Sequence, residues 1–425
     1  MKDAQTKIVC TIGPETSSKE KIAQLIKAGM NIARINFSHG ERKEHRKVIE
    51  DIQDVRKSEG KYVAIALDTR GPEVRISIES DFYASTGDAI RFYTKQRKGG
   101  IFIPEINLNA LKIGANVFID DGSLELKITE VFDGGFECIS QNGHLVKNNK
   151  SMNFPGIDIG MKYLRGDDIE DMIFAVECGI DMIFASFIGS RHDVEDVKKI
   201  VVNVPVISKI ESCMGMENLD EIAWVSDGLM VARGDLGVEV GMGSMFSSQK
   251  RIIAAAKKAN KPVICATQMM ESMISKEMPT RAETSDVGNA VMDGCDCVML
   301  SGETAVGRFP IKTVEAMRMI CMDAEKYIRK IGDAIGMCEL FPYVSAIVLW
   351  LCPADQVERF YASRPGIPII MVSRSLCEIR RFCMYRGIVC VMYDELINVR
   401  SVAERLCIEV RYMVIEEKSV RMEEI

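Results

Sequence analysis

No Cys-x-x-Cys occurs in this 425-residue chain, although it carries 14 cysteines. Cys10, Cys265, Cys295 and Cys297 lie inside apolar runs that read as strands. Thiols so placed are expected to be small buried hydrophobes in a reducing cytoplasm, not disulfide or metal ligands. The 26 methionines read the same way, as core filler. Histidine is scarce, and the four present do not resemble a metal set. His45 and His192 are expected on exposed helix faces; only His39 falls near the polar rim developed below. The phosphate cradle Gly-x-x-x-x-Gly-Lys is absent. Gly241-Met242-Gly243 lacks the third glycine of a dinucleotide fingerprint and reads as a solvated turn. Any phosphate chemistry must therefore use cations and metals. The longest apolar run, around Val344 to Cys352, is too short to span a bilayer. Met1 to Lys7 is polar and lacks a signal-peptide core. A net charge of −7 argues against a nucleic-acid partner.

What is present is a rhythm. Apolar, β-branched runs alternate with amphipathic stretches. Strands are expected at Lys7 to Ile12, Met30 to Phe37 and Tyr62 to Asp68, with helices at Ser17 to Lys27 and Glu44 to Ser58. From about Pro72 to Pro155 the period changes to two, with turn signals at Gly99-Gly100, Asp120-Asp121-Gly122 and Asp133-Gly134-Gly135. That pattern predicts a small all-β module. The first rhythm then resumes. Further strands are expected at Asp181 to Phe187, Pro205 to Ile210, Gly228 to Ala232, Pro262 to Thr267 and Asp296 to Leu300. Helices intervene at Asp167 to Glu177, Asp193 to Val201, Leu219 to Val225, Ser247 to Ala259 and Glu283 to Met292, and Ile311 to Arg329 follows. Eight nearly all-apolar strands alternating with helices fit a parallel (β/α)8 TIM barrel. Periodicity does not show closure, so an open doubly wound sheet stays as the alternative. From about Ile331 a smaller α/β unit follows, with strands at Ala346 to Leu351, Pro368 to Val372 and Gly387 to Tyr393. Its helices are expected at Gln356 to Ala362, Leu376 to Met384 and Asn398 to Glu409. The expected division is barrel 1–71, inserted β lid 72–157, barrel 158–330 and C-terminal α/β domain 331–425.

In such a barrel the reactive groups gather where strands end. The second strand ends in Arg34-Ile-Asn-Phe-Ser-His-Gly40, the third in Asp68-Thr69-Arg70-Gly71-Pro72-Glu73 and the fourth in Ser186-Phe187. Lys209 and Glu211 close the fifth, Arg233 and Asp235 the sixth, Thr267-Gln268 the seventh, and Ser301-Gly302-Glu303-Thr304 the eighth. One polar residue at a strand end is a solvated charge or a helix cap as often as a site. At least six tips carrying them together are not explained that way. Two carboxylates on neighbouring tips suit a magnesium-type ion. The lysine beside the first suits a transferring phosphoryl group.

The segments Thr6-Lys-Ile-Val-Cys-Thr-Ile-Gly-Pro14, Ile207-Ser-Lys-Ile-Glu211, Met230-Val-Ala-Arg-Gly-Asp-Leu-Gly237, Cys265-Ala-Thr-Gln-Met-Met-Glu-Ser-Met273, Pro279-Thr-Arg-Ala-Glu283 and Met299-Leu-Ser-Gly-Glu-Thr-Ala305 resemble the pyruvate kinases. So do the second- and third-strand tips. The resemblance implies a barrel, a β lid after the third strand and a C-terminal regulatory domain. It also implies transfer of phosphate from phosphoenolpyruvate to ADP, giving pyruvate and ATP in glycolysis. By motif, Glu211 and Asp235 would bind Mg2+ (or Mn2+). Lys209 would stabilise the phosphoryl group and the enolate. Arg34 would grip the phosphate. Gly234, Asp235 and Thr267 would hold the substrate carboxylate, with Thr267 near the protonation step. Asn36, Ser38, Asp68 and the Thr69 carbonyl would bind K+, and Glu73 stands where a glutamate accompanies potassium dependence. Asn36, His39, Arg75 and Lys150 would meet the nucleotide. A homotetramer in the cytoplasm, without nucleic-acid or membrane partners, is the associated expectation.

The departures fall mainly after the barrel. Leu351-Cys-Pro-Ala-Asp355 replaces the family's Ser/Thr-rich phosphate turn, and Asp355 would repel a phosphate there. The chain also reads as lacking the family's final strands and effector loop. Activation by fructose 1,6-bisphosphate is therefore not expected. The alternatives are another magnesium-dependent barrel enzyme acting on pyruvate or phosphoenolpyruvate, and an inactive barrel scaffold.

Overall fold

The computed structural model describes residues 4–95, 97, 100–334, 346–363, 367–394, 398, 399, 401, 402, 406, 411–416 and 419–424. Eight parallel strands close into a barrel. In chain order they are Lys7–Thr11, Met30–Asn36, Ala64–Asp68, Met182–Ala185, Val206–Ile210, Gly228–Ala232, Val263–Ala266 and Cys297–Leu300. The first pairs with the eighth, Lys7 opposite Cys297, which settles closure against the open sheet. Almost every strand residue is buried, because one face meets the lumen and the other the helical shell.

The helices begin and end where local chemistry dictates. Ser18 caps the helix Lys19–Ala28 by accepting from the Lys21 amide, and Gly29 ends it at φ 133°. Capping boxes open Arg191–Ile200 (Ser190 with Asp193) and Arg281–Asp293 (Thr280 with Glu283). Two helical starts differ from expectation. Arg233–Val240 is a helix in its own right, so the sixth-strand tip turns directly into a helical first turn. Gly241, at φ 76°, then breaks the chain, and Met242–Lys258 begins at once. The Gly241-Met242-Gly243 segment is solvated, as expected, and serves as a helix junction. A left-handed glycine lets the axis change direction without a loop.

Between the third and fourth strands lies the all-β module, a seven-stranded sheet with a two-stranded ribbon. Its core stacks Phe92 on Phe136 at 5.1 Å. Its tip, Asp120-Asp121-Gly122, lies over the helix Arg233–Val240: a Cβ on Gly122 would stand 3.4 Å from Val238 Cγ2.

The C-terminal sheet has five strands. Ile388–Met392, Ile369–Ser373, Ala346–Trp350 and Arg411–Glu416 run parallel, and Ser419–Glu424 pairs antiparallel on Arg411–Glu416. The last two strands correct the expectation that final strands are lacking. Their sequences carry enough charge, Arg411, Glu416, Arg421 and Glu423, to blur an apolar strand signal. The helix expected at Asn398 to Glu409 falls largely outside the described residues, as do Gly99 and Arg364-Pro365-Gly366. Among the described residues no helix is long and apolar enough to cross a membrane. The cysteines among them are free, and Cys10, Cys265, Cys295 and Cys297 are buried as expected.

Two apolar bodies fill the barrel. One lies between strands and helices. The other occupies the lumen, with Val9, Ile32, Phe184, Ile207, Met230 and Met299, and runs unbroken into Phe382, Met384 and Tyr385 of the C-terminal unit. That unit seals the end of the barrel opposite the strand tips. Lys7 Nζ donates to the Ile388 carbonyl at 2.7 Å, and Tyr361 Oη to Asp296 Oδ1 at 2.6 Å.

Candidate active site

The strand register sets the rim. Asn36 at the end of the second strand stands opposite Asp68 at the end of the third, and Arg34 opposite Ala66. Arg34 reaches sideways: its Nε donates to Asp68 Oδ2 at 2.6 Å and its Nη1 to the Thr11 hydroxyl at 2.9 Å. Lys209, at the end of the fifth strand, meets the other oxygen of the same carboxylate. Its Nζ lies 3.0 Å from Asp68 Oδ1, 3.0 Å from Glu211 Oε1 and 2.7 Å from Ser186 Oγ. Arg34, Asp68, Lys209 and Glu211 form one alternating chain of buried charge. Ser186 completes it by donating to the Thr69 carbonyl at 2.7 Å. Phe187, in the left-handed region at φ 53°, donates its amide to Glu211 Oε2 at 2.6 Å.

The electrostatics follow from burial. Burial alone would raise the Asp68 carboxyl, but the Arg34 guanidinium and Lys209 ammonium hold it below the ordinary range. Burial would lower the Lys209 ammonium, but Asp68 and Glu211 hold it well above its usual value. Glu211 and Asp235 go the other way. Burial pushes both up, Lys209 resists in each case, Asp235 adds to the rise at Glu211, and Glu73 and Asp121 add to it at Asp235. Two carboxylates so placed carry more negative charge than one ammonium offsets. That surplus, from hard oxygen donors, fits a divalent cation. Among the described residues no set of three or more His, Cys, Asp or Glu side chains is grouped to hold a metal.

Beside this chain the sixth and seventh tips interlock. The Gly234 amide donates to the Thr267 hydroxyl at 2.8 Å, and that hydroxyl donates to the Ala266 carbonyl at 2.7 Å. Thr267 and Gln268 are consecutive left-handed residues, at φ 64° and 51°. Asn36 Oδ1 accepts from the Ser38 amide at 3.0 Å, shaping the second tip. Arg75 is paired with Glu73 at 2.8 Å, and burial raises the Glu73 carboxyl against that pairing.

Two expected nucleotide residues stand apart. His39 is exposed on its loop. Lys150 belongs to the lid and is bound to Asp120 at 2.7 Å, alongside His144 at 3.0 Å. His45 corrects its expectation: it is buried, stacked on Phe37 at 4.1 Å, and burial lowers its imidazole. His192 is exposed, as expected. Sequence reasoning gave no role to Ser186, Thr11 or the Phe187 amide. Their only signal was a position at strand ends.

The family description "Pyruvate kinase, barrel domain" matches residues 3–314. A pyruvate kinase of Encephalitozoon cuniculi (strain GB-M1) is 51% identical over 425 residues, covering 99% of each chain. The pyruvate kinase of Kluyveromyces lactis is 38% identical, covering 92% of this chain and 85% of its own. The human pyruvate kinase PKLR is 37% identical, covering 92% and 75%. With this likeness spanning the barrel, the lid and the C-terminal sheet, the chain is a phosphotransferase and belongs to the pyruvate kinase family.

Proposed function

We propose that the strand-tip rim transfers the phosphoryl group of phosphoenolpyruvate to ADP, yielding pyruvate and ATP, and that the residues above divide the work. The observation that carries this reading is the buried chain Arg34–Asp68–Lys209–Glu211, with Asp235 beside it. Asp68 fixes both cations before substrate arrives, so neither has to reorganise as charge moves. Lys209 stabilises the transferring group and the enolate left behind. Arg34 grips the phosphate. Positioning and charge complementarity dominate in a loose transition state of this kind. The Gly234 and Asp235 amides and the Thr267 hydroxyl hold the substrate carboxylate. Thr267 also serves the protonation of the enolate.

Glu211 and Asp235 would hold Mg2+ or Mn2+, which would supply positive charge to offset that of the phosphoryl group. Asn36, Ser38, Asp68 and the Thr69 carbonyl offer an all-oxygen set for K+. Asn36, His39 and Arg75 would meet the nucleotide, and Lys150 would join them if the lid releases it from Asp120. The division is into barrel 1–71 and 158–330, lid 72–157 and C-terminal domain 331–425, and the separate sheets support it. The apolar, exposed Met242 and Phe246 on the shell support a homo-oligomer, with the tetramer as the assembly to test. The buried free thiols suit a cytoplasmic enzyme. Asp355, paired with Arg359 across a helical turn, supports the absence of activation by fructose 1,6-bisphosphate.

The test is a coupled assay of ATP formation from phosphoenolpyruvate and ADP, with and without K+, with Mg2+ or Mn2+, and with fructose 1,6-bisphosphate. Formation of ATP only with a divalent ion, stimulated by K+ and insensitive to the sugar, is the expected result. No ATP under any condition would reject the reading. A large fall in half-saturating phosphoenolpyruvate on adding the sugar would reject the effector part alone.

A further inference from the structure

We propose that Arg233, held by Asp286, is a positioning residue that sets the Thr267 hydroxyl for enolate protonation. The inference rests on the role given to Thr267 above. A β-branched residue in the left-handed region is strained, and here the next residue is left-handed as well. Each such residue costs on the order of 1–3 kcal/mol and persists only where its surroundings over-determine it. At Thr267 the determinant is visible. The Arg233 guanidinium donates to the Thr267 carbonyl twice, from Nη2 at 2.6 Å and from Nε at 3.1 Å. Nε also lies 3.3 Å from the Ala266 carbonyl, and Nη2 lies 2.9 Å from Met269 Sδ. Asp286, on the helix Arg281–Asp293, accepts from Nη1 at 2.6 Å and fixes the guanidinium from the far side.

The contact is reciprocal between tips. Arg233 of the sixth tip holds the backbone of Thr267, and the Thr267 hydroxyl accepts from Gly234, the next residue after Arg233. Carboxylate-holding amide and proton-handling hydroxyl are thereby locked in one frame. In the step concerned, C3 of the enolate gains a solvent-derived proton. The carbon–carbon π pair forms the new C–H bond, and the C2 carbonyl is restored. A hydroxyl displaced by about 1 Å loses on the order of 100-fold in such a step. Lysine keeps the charge of Arg233 but not its planar fork. Asp286 lies on another helix, and its ion pair is with Arg233, so its replacement tests the clamp from the far side.

The experiment measures two partial reactions of the intact enzyme with Mg2+ and K+. One is deuterium exchange into the pyruvate methyl group in D2O with ATP, followed by NMR. The other is single-turnover ATP formation. Arg233→Lys is expected to lower exchange on the order of 100-fold and Asp286→Asn about 10-fold, each far more than it lowers ATP formation. Equal losses in the two reactions, or unchanged exchange in both variants, would overturn the clamp. Thr267→Val distinguishes the underlying reading. If it leaves exchange intact, the role of Thr267 fails and the clamp with it. If it abolishes exchange while Arg233→Lys and Asp286→Asn leave exchange unchanged, the clamp alone fails.

Discussion

Replacing Lys209 with methionine isolates the part played by the buried ammonium. Methionine keeps much of the volume and removes the charge. Lys209 Nζ lies 3.0 Å from each of Asp68 Oδ1 and Glu211 Oε1. At an effective dielectric near 20, a pair at that distance is worth about 5–6 kcal/mol of gross attraction. The ammonium's own desolvation offsets several kcal/mol of the sum. Asp68 keeps Arg34 at 2.6 Å, and Glu211 keeps the Phe187 amide at 2.6 Å. Burial already pushes the Glu211 carboxyl up to about 7, so without Lys209 it binds a proton rather than standing charged. The expected stability loss is therefore about 3 kcal/mol, the low end for breaking a buried pair. Turnover should fall much further than stability suggests. One preorganised electrostatic contact is worth about 100- to 1000-fold. The assays are urea unfolding and ATP formation, with phosphoenolpyruvate binding followed by calorimetry. A Lys209→Met enzyme that is folded, binds phosphoenolpyruvate and turns over within about 10-fold of the parent would refute the reasoning.

The monovalent-ion reading predicts that the parent needs K+ and that Glu73→Lys turns over without it, because a tethered ammonium supplies the missing charge. ATP formation in tetramethylammonium buffer checks both, and full parent activity there would contradict the assignment. Tyr361→Phe removes a hydroxyl 2.6 Å from the buried Asp296 carboxylate and should cost about 1.5–3 kcal/mol in urea unfolding, with kcat unchanged. His45 gives a pH signature. Its folded imidazole is held below the ordinary value, so the unfolded chain binds more protons. Stability is then complete above about pH 6.5 and falls by up to about 1.4 kcal/mol per unit as pH drops through that value. His45→Phe, which keeps a ring against Phe37 and removes an unpartnered buried nitrogen, should flatten that dependence between pH 5.5 and 7.5. An identical slope in both proteins would assign the effect elsewhere.

The barrel strands were legible because fully buried parallel strands are written as continuous apolar runs, such as Gly228–Ala232. The lid was legible as a change of period, which strands such as Ala89–Tyr93 carry as alternating burial. The last two strands were not, since half-exposed strands share charged patterns with loops. His45 was misread for a related reason: it lies one turn before Ile49 and two before Ile52 on the buried face of Arg42–Ser58, but among Arg42, Lys43, Glu44 and Arg46 it reads as solvated, and its stacking on Phe37 lies outside the helix. At the site, each carboxylate and cation could be placed on a strand tip. The pairing of Arg34 and Lys209 on opposite oxygens of Asp68 could not, because it depends on register between strands far apart in sequence. The left-handed Phe187 and Thr267 are likewise invisible, as their conformation is imposed by tertiary contacts against local preference.

The shared lumen has a consequence for the order in which the molecule is made. Ring closure joins Lys7 to Cys297, and the far opening is stopped by Phe382, Met384 and Tyr385. A chain emerging N-terminus first therefore carries its opening strand unpaired on one edge until the eighth has been synthesised. Even a closed ring would then hold wet apolar residues, Val9 and Met230 among them, until the stopper arrives. Contacts of such sequence separation form slowly and leave exposed surface in the interim. The C-terminal sheet thus acts as the last step of barrel assembly, and damage to it should appear first as poor yield of the soluble enzyme rather than as altered chemistry.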